Sequence, residues 1–187
     1  MKKLTHEKSE LGHNIYKIEA TYGGPHLVLL GAVHGDEPGG ALALDALLEQ
    51  LASENIELSK GRLTIIPRCN PRAYHENVRY LETNLSRIFH PHDRPQTYEA
   101  QCTNILCPYV EEADYLLDLH ATTAPGGTFV FDDSNTEHSH AFALSLGLDY
   151  ILGGWPALYN DHDTDVTDSV GYAINHGNIG VVAECGR

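Results

Sequence analysis

Within "LLGAVHGDEPGG", residues 29–40, His34 and Glu37 stand three positions apart where an apolar run opens into a glycine-rich turn. A second histidine, His120, follows the apolar run "YLLDL", and Glu184 lies near the end of "NIGVVAEC". Two histidines and a carboxylate make a common catalytic zinc set that leaves a fourth position for water. A further carboxylate, itself not a ligand, can take that water's proton. Taken singly, each residue has an ordinary reading. A histidine at a strand end is more often a hydrogen-bonded core or surface residue than a ligand, and Glu37 alone would be an acidic residue in a helix's first turn. Asp118 is either a strand carboxylate with a local partner or, if it shares a face with His120, the group that orients that imidazole. Their common placement at strand ends favours the zinc set.

The elements that must hold these groups are legible from periodicity. "HNIYKIEA" (13–20) and "HLVLLGAV" (26–33) read as strands joined by the turn "TYGGP". "PGGALALDALLEQLA" carries apolar residues at 42, 44, 47, 48 and 51, close to a helical stripe, with Pro38 suited to a first turn. "GRLTIIP" (61–67) is a third strand, and residues 68–96 form a long, irregular, charged connection of the kind that usually carries function. A helix over "TYEAQCTNILCPYVEEA", with Pro108 as a potential break, leads to a buried strand at 114–121. A short strand "GTFVFD", a helix over "SNTEHSHAFALSLG" opened by a Ser/Asn cap, and a strand "DYILGG" follow. The chain then gives a helix over "TDSVGYAINHG" and a last strand over "NIGVVAEC". Strands alternating with helices predict an α/β sheet covered on both faces.

Composition narrows the functions. The 187 residues suit one domain, and 42% apolar with 20% charged residues reads as globular. A formal charge of −14, from 26 acidic and 12 basic residues, disfavours nucleic acid and anionic membrane as partners. It also means that an anionic small substrate needs basic residues gathered at its site. No apolar stretch approaches a membrane span, and Met-Lys-Lys has no apolar segment behind it, so a cytoplasmic location without a secretory signal is the expectation. Cys69, Cys102, Cys107 and Cys185 include no Cys-x-x-Cys pair and read as buried free thiols. "NDHDTDVTD" (160–168) places aspartates at calcium-loop spacing, but Val166 and Tyr172 stand where the glycine and closing glutamate belong, so it reads as a solvated acidic loop capping the next helix. The histidines of "HPHD" and "HSH" read as exposed.

Through "GAVHGDE", "NPRA", "VRYLETNLSRIF", "DLHATT" and "AECG", in that order, the chain resembles the succinylglutamate desuccinylase/aspartoacylase branch of the zinc carboxypeptidase superfamily. The resemblance implies a three-layer α/β/α sandwich with a central mixed, mostly parallel sheet. It implies one Zn²⁺ per chain on His34, Glu37 and His120, with Glu184 as general base and acid. Arg79 matches the arginine that polarises the scissile carbonyl, Arg87 with Ser86 the pair that holds the substrate carboxylate, and Asn70 and Arg72 a loop-shaping signature. The implied reaction is hydrolysis of the amide of an N-acyl amino acid. A carboxypeptidase or peptidoglycan-peptide amidase with the same centre, acting on a short peptide, is the second reading; a weakly active or inactive metal- or ligand-binding domain is the third. Homo-oligomerisation is left open.

The chain departs from the family pattern in three places. "NLSR" replaces "DLNR", so Ser86 stands for an asparagine and Asn84 for an aspartate. Ile174 holds the place of an arginine found shortly before the catalytic glutamate, which weakens the case for a second acidic group on the substrate. The chain also stops three residues after Glu184, where relatives continue into a β-rich domain; residues 1–187 are thus expected to be the catalytic domain alone.

Overall fold

The computed structural model describes residues 4–122, 126–154 and 167–186. Eight strands form one sheet: β1 (Thr5–Lys8), β2 (Asn14–Glu19), β3 (Tyr22–Gly31), β4 (Lys60–Ile66), β5 (Tyr115–His120), β6 (Phe129–Phe131), β7 (Tyr150–Leu152) and β8 (Ile179–Glu184). The helices are α1 (Pro38–Ala52), α2 (Pro71–Glu76), α3 (Tyr98–Glu111), α4 (Glu137–Ser145) and α5 (Ser169–Asn175). The strand order is β1-β2-β4-β3-β5-β8-β6-β7. β4, β3, β5 and β8 run parallel, β1 and β2 are antiparallel additions at one edge, and β6 pairs antiparallel with β8. This is the mixed, mostly parallel three-layer sandwich expected from the sequence.

Burial on both faces makes the central strands nearly continuous apolar runs. Val28, Leu30 and Leu116 turn to one side, joining Cys102, Leu106 and Val110 of α3 and Val170 and Ala173 of α5. Leu29, Leu117 and Val181 turn to the other, against Leu44, Leu48 and Leu51 of α1 and Ala143 of α4. Leu42, counted in the apolar stripe of α1, falls outside this contact and is 57% exposed.

Connectivity decides where a site can form. From β3 the chain passes through α1 to β4 on one side, and returns through α3 to β5 on the other. The carboxyl ends of β3 and β5 therefore flank a topological switch point, where the connections diverge and leave a crevice. Gly40 brings α1 against that crevice: a Cβ there would lie 2.3 Å from the Leu119 carbonyl oxygen. Gly40→Ala is expected to cost about 1–3 kcal/mol by forcing the helix off the sheet, read as a lower urea midpoint at unchanged slope. An unshifted midpoint would contradict this packing.

Several boundaries differ from the sequence reading. The "TYGGP" segment is no turn: Tyr22 already pairs with Lys60, and the register shifts between Tyr22 and His26. The irregular stretch 68–96 contains α2, opened by Asn70, whose side chain accepts from the Ala73 amide, and a 3₁₀ turn at Leu85–Arg87. α3 runs through Pro108 to Glu111 without ending there. α4 is capped by Thr136 in a reciprocal pair with Ser139, displacing the expected cap to a later residue. The polar, exposed β1 escaped periodicity altogether. Cys69, Cys102 and Cys107 are buried free thiols, and Cys185 is free and half-buried. Residues 160–166 of the acidic stretch lie outside the described residues, whereas Asp168 caps α5 by accepting from the Gly171 amide.

Candidate metal centre

Beyond Gly31, Ala32 takes a left-handed φ of 46°, turning the chain off β3 and into the crevice. His34 follows in the turn, and Glu37 occupies the cap position of α1. Between them, Gly35 packs against α2 so closely that a Cβ would sit 2.1 Å from the Ala73 carbonyl carbon. His120 is the last residue of β5, and the parallel register sets Glu184 directly beside it on β8.

His34 Nδ1 lies 3.0 Å from Glu37 Oε1, and His120 Nδ1 lies 2.9 Å from Glu37 Oε2. The three residues are buried, and one ligand atom from each lies within 4.8 Å of the others. Each imidazole turns its Nδ1 inward and its Nε2 outward. His34 Nε2 is 3.1 Å from Asn84 Oδ1 and 3.2 Å from Ser86 Oγ; His120 Nε2 is 3.3 Å from Asp118 Oδ2. An outer acceptor on Nε2 leaves Nδ1 as the nitrogen with a lone pair for an inner cation. Ser169, at the start of α5, donates to the same Asp118 oxygen.

Electrostatics around this point is dominated by acids. Glu37, Asp118, Asp168 and Glu184 line one small cavity of about 90 Å³, which they share with Arg79 and Arg87. Burial opposes ionisation of Glu37, but hydrogen bonds from His120 and His34 outweigh it and hold the carboxyl well below its usual range. His120 is shifted the other way: burial disfavours its cation, yet Asp118 and Glu37 together raise it well above the ordinary imidazole value. Desolvation raises Glu184 and Asp168. Glu184 Oε2 is buried and accepts no hydrogen bond from the described residues. A nitrogen–nitrogen–oxygen donor set, surplus negative charge and an orphaned carboxylate oxygen all suit a divalent cation.

Arg79 Nη1 donates to Glu37 Oε1 at 2.7 Å, and Arg87 Nη1 to the Ser86 carbonyl at 2.9 Å. Ser86 turns its hydroxyl toward His34. Arg72 lies away from the centre with its guanidinium over the Tyr98 ring, while Asn70 caps α2 and donates to Glu99.

Asn84, Glu99 and Ser169 escaped the sequence reading, Ser169 showing only as an ordinary residue at a helix start. Asn84 was noticed only as a departure from a motif, yet its side chain touches His34. Glu99, fully buried in the first turn of α3, accepts from the amides of Leu81, Glu82 and Thr83 at 2.7, 3.3 and 3.2 Å. It thereby anchors the segment between Arg79 and Arg87; its sequence signal, an acid at a helix start, is too common to single out.

Asp118→Ala is expected to weaken the affinity of this three-residue group for an added divalent cation, tested with Zn²⁺, by about 10–100-fold, since an unheld imidazole loses orientation and basicity. Competition with a chelating dye reads this directly. Unchanged affinity would reduce Asp118 to a strand residue.

The sequence profile described as the succinylglutamate desuccinylase/aspartoacylase catalytic domain matches residues 23–187. A probable aspartoacylase of Acaryochloris marina is 33% identical over 131 residues, covering 64% of this chain and 41% of its own length. A succinylglutamate desuccinylase of Shewanella piezotolerans is 36% identical over 63 residues, 34% of this chain and 18% of that protein. A solved succinylglutamate desuccinylase/aspartoacylase structure from Rhodobacter sphaeroides shares the fold with a TM-score of 0.79 at 18% identity, covering 98% of this chain and 58% of that one. The matched region is thus less than half the length of either curated relative. On the span and content of the profile match, the chain belongs to the succinylglutamate desuccinylase/aspartoacylase family.

Proposed function

We propose that the protein is a zinc-dependent amidohydrolase that removes the acyl group from an N-acylated amino acid, and that this chain is its catalytic domain. The observation that carries this reading is the convergence of His34, Glu37 and His120 within 4.8 Å of one another, with an orphaned Glu184 carboxylate oxygen on the adjoining strand. His34, Glu37 and His120 would hold one Zn²⁺. The chemistry such an ion supplies when bound is Lewis acidity, toward water as nucleophile and toward the amide carbonyl.

The side chains account for the remaining needs of amide hydrolysis. Glu184, with no competing donor on Oε2, takes the proton of the attacking water and returns it to the departing amine. Arg79 compensates the Glu37 carboxylate in the chain as described; its side chain is 43% exposed, so it can turn toward charge developing on the carbonyl oxygen. Arg87, on the wall of the same cavity, meets the substrate's carboxylate and answers the repulsion expected from a −14 chain. Ser86 and Asn84 hold His34 from behind. Asp118 and Ser169 do the same for His120.

The test joins metal content to turnover. The purified chain is expected to carry about one zinc per chain, to lose it in His34→Ala and His120→Ala, and to hydrolyse N-acyl amino acids in a chelator-sensitive, zinc-restored manner. A chain that binds no stoichiometric metal, or whose turnover ignores the chelator, would refute the reading.

A further inference from the structure

Arg79, which the deacylase reading turns toward the developing oxyanion, belongs to a stretch with little regular structure: between α2 and α3 only the 3₁₀ turn at Leu85–Arg87 interrupts it. A backbone of that kind needs partners for its amides. The fully buried carboxylate of Glu99 supplies them, and it does so across Arg79. Its Oε1 accepts from Asn70 Nδ2 at 3.2 Å, before the arginine, and from the Leu81 amide at 2.7 Å, after it. Its Oε2 accepts from the Glu82 and Thr83 amides at 3.3 and 3.2 Å. Glu82 answers from the loop, its Oε2 accepting from the Tyr98 amide at the head of α3 at 2.6 Å. The loop so closed is also tied to the candidate metal centre, because the Gly35 amide, next to His34, donates to the Arg79 carbonyl at 3.2 Å.

Resting on the deacylase reading, we infer that Glu99 is a positioning residue of the reaction: by closing the loop 70–83 it fixes the backbone from which Arg79 reaches Glu37 Oε1 and the scissile carbonyl. The partners named above are all N–H donors. Glutamine cannot serve them, since an amide offers one acceptor oxygen and turns an NH₂ toward an N–H. Hydrogen bonds to a carboxylate are also about twice as strong as those between neutral groups. Arg87 is held by other means. Leu85 and Phe89, on either side of it, are fully buried in the core, and the Phe89 amide donates to the Thr167 carbonyl at 2.8 Å. Disturbing Glu99 therefore moves Arg79 more than Arg87, which lowers kcat and leaves KM nearly alone. A residue that only stabilised the fold would instead reduce the folded fraction and leave the kinetics of the folded molecules unchanged.

The test is a double-mutant cycle on the zinc-loaded chain with an N-acyl amino acid, beside the NMR signal of the Arg79 side-chain Nε–H. Glu99→Gln is expected to lower kcat by about 10–100-fold, the cost of shifting a reacting group by about 1 Å, with KM changed by less than about threefold. In the Arg79→Ala background the same substitution is expected to cost less than about twofold, because the group it positions is gone. The Arg79 Nε–H signal is expected to shift in Glu99→Gln, a readout that needs no turnover. Glu82→Ala, a change at an exposed position, breaks the reciprocal contact with α3 and is expected to lower kcat by about 3–10-fold with the same dependence on Arg79. It decides the question where Glu99→Gln does not fold. An unchanged kcat with an unmoved Arg79 signal, or an equal loss with and without Arg79, would overturn the inference and leave the deacylase reading intact. No turnover in the unsubstituted chain would remove the deacylase reading; a shifted Arg79 signal would then still support the placing role of Glu99, and an unmoved one would overturn it too.

Discussion

On the proposed deacylase reading, Glu184→Gln is expected to keep the fold and the bound zinc while losing turnover by about 10³-fold. Glutamine matches glutamate in shape and can remain beside His120 in the register that pairs β5 with β8. What it cannot do is accept and return a proton. The wild-type carboxyl is suited to that exchange: burial raises its pKa, with Glu37 and Asp118 adding to the rise and His120 and Arg79 opposing it. A carboxylate less comfortable in its charged state is a stronger base toward water. Because Glu184 is not among the three grouped candidate ligands, metal analysis and a melting curve separate lost chemistry from lost structure. Full turnover in Glu184→Gln would remove this residue from the mechanism. Loss of turnover accompanied by loss of zinc would reassign it as a ligand.

For Arg79→Ala the expectation is a fall in kcat of about 10²–10³-fold with a much smaller rise in KM. A group that acts on charge developing during reaction lowers the barrier without holding the substrate beforehand. The 2.7 Å contact with Glu37 adds a second consequence, since removing the guanidinium strips that carboxylate of a compensating charge. Zinc affinity should therefore be unchanged or higher in the variant, and lost activity cannot be ascribed to lost metal. Arg79→Lys is expected to recover part of the rate, because an ammonium supplies charge without the planar fork. A raised KM at preserved kcat would make Arg79 a binding residue, and Arg87 would then need a different task.

Much of the scaffold could be read from residue order alone. α1 begins and ends where its apolar spacing and Pro38 predict, and the runs around Leu29, Leu117 and Val181 are strands because both faces are covered. β1 was missed because an exposed edge strand of four polar residues has no apolar alternation to read. α2 was missed for a related reason: with one buried residue it has no period, although the Asn-Pro start was a usable sign. Leu42 looked like part of the buried stripe, but the face that α1 buries carries Ala41, Leu44, Leu48 and Leu51, and Leu42 falls outside it.

His34, Glu37, His120 and Glu184 could be picked out as a set because they lie at or just beyond strand ends, Glu37 where the next helix begins, and because the motifs around them resemble those of the family. Their meeting is not local. It depends on β3 and β5 being neighbours at the point where the chain reverses its direction of travel across the sheet, and on a parallel register that places Glu184 beside His120. The outward contacts of the two imidazoles and the Glu99 anchor of the arginine segment join positions far apart in the chain. The sequence by itself determined which residue types were available and which strand ends would present them. The tertiary structure decided which of them touch, since strand order and register arise from burying both faces of the sheet together and leave no trace in any single segment.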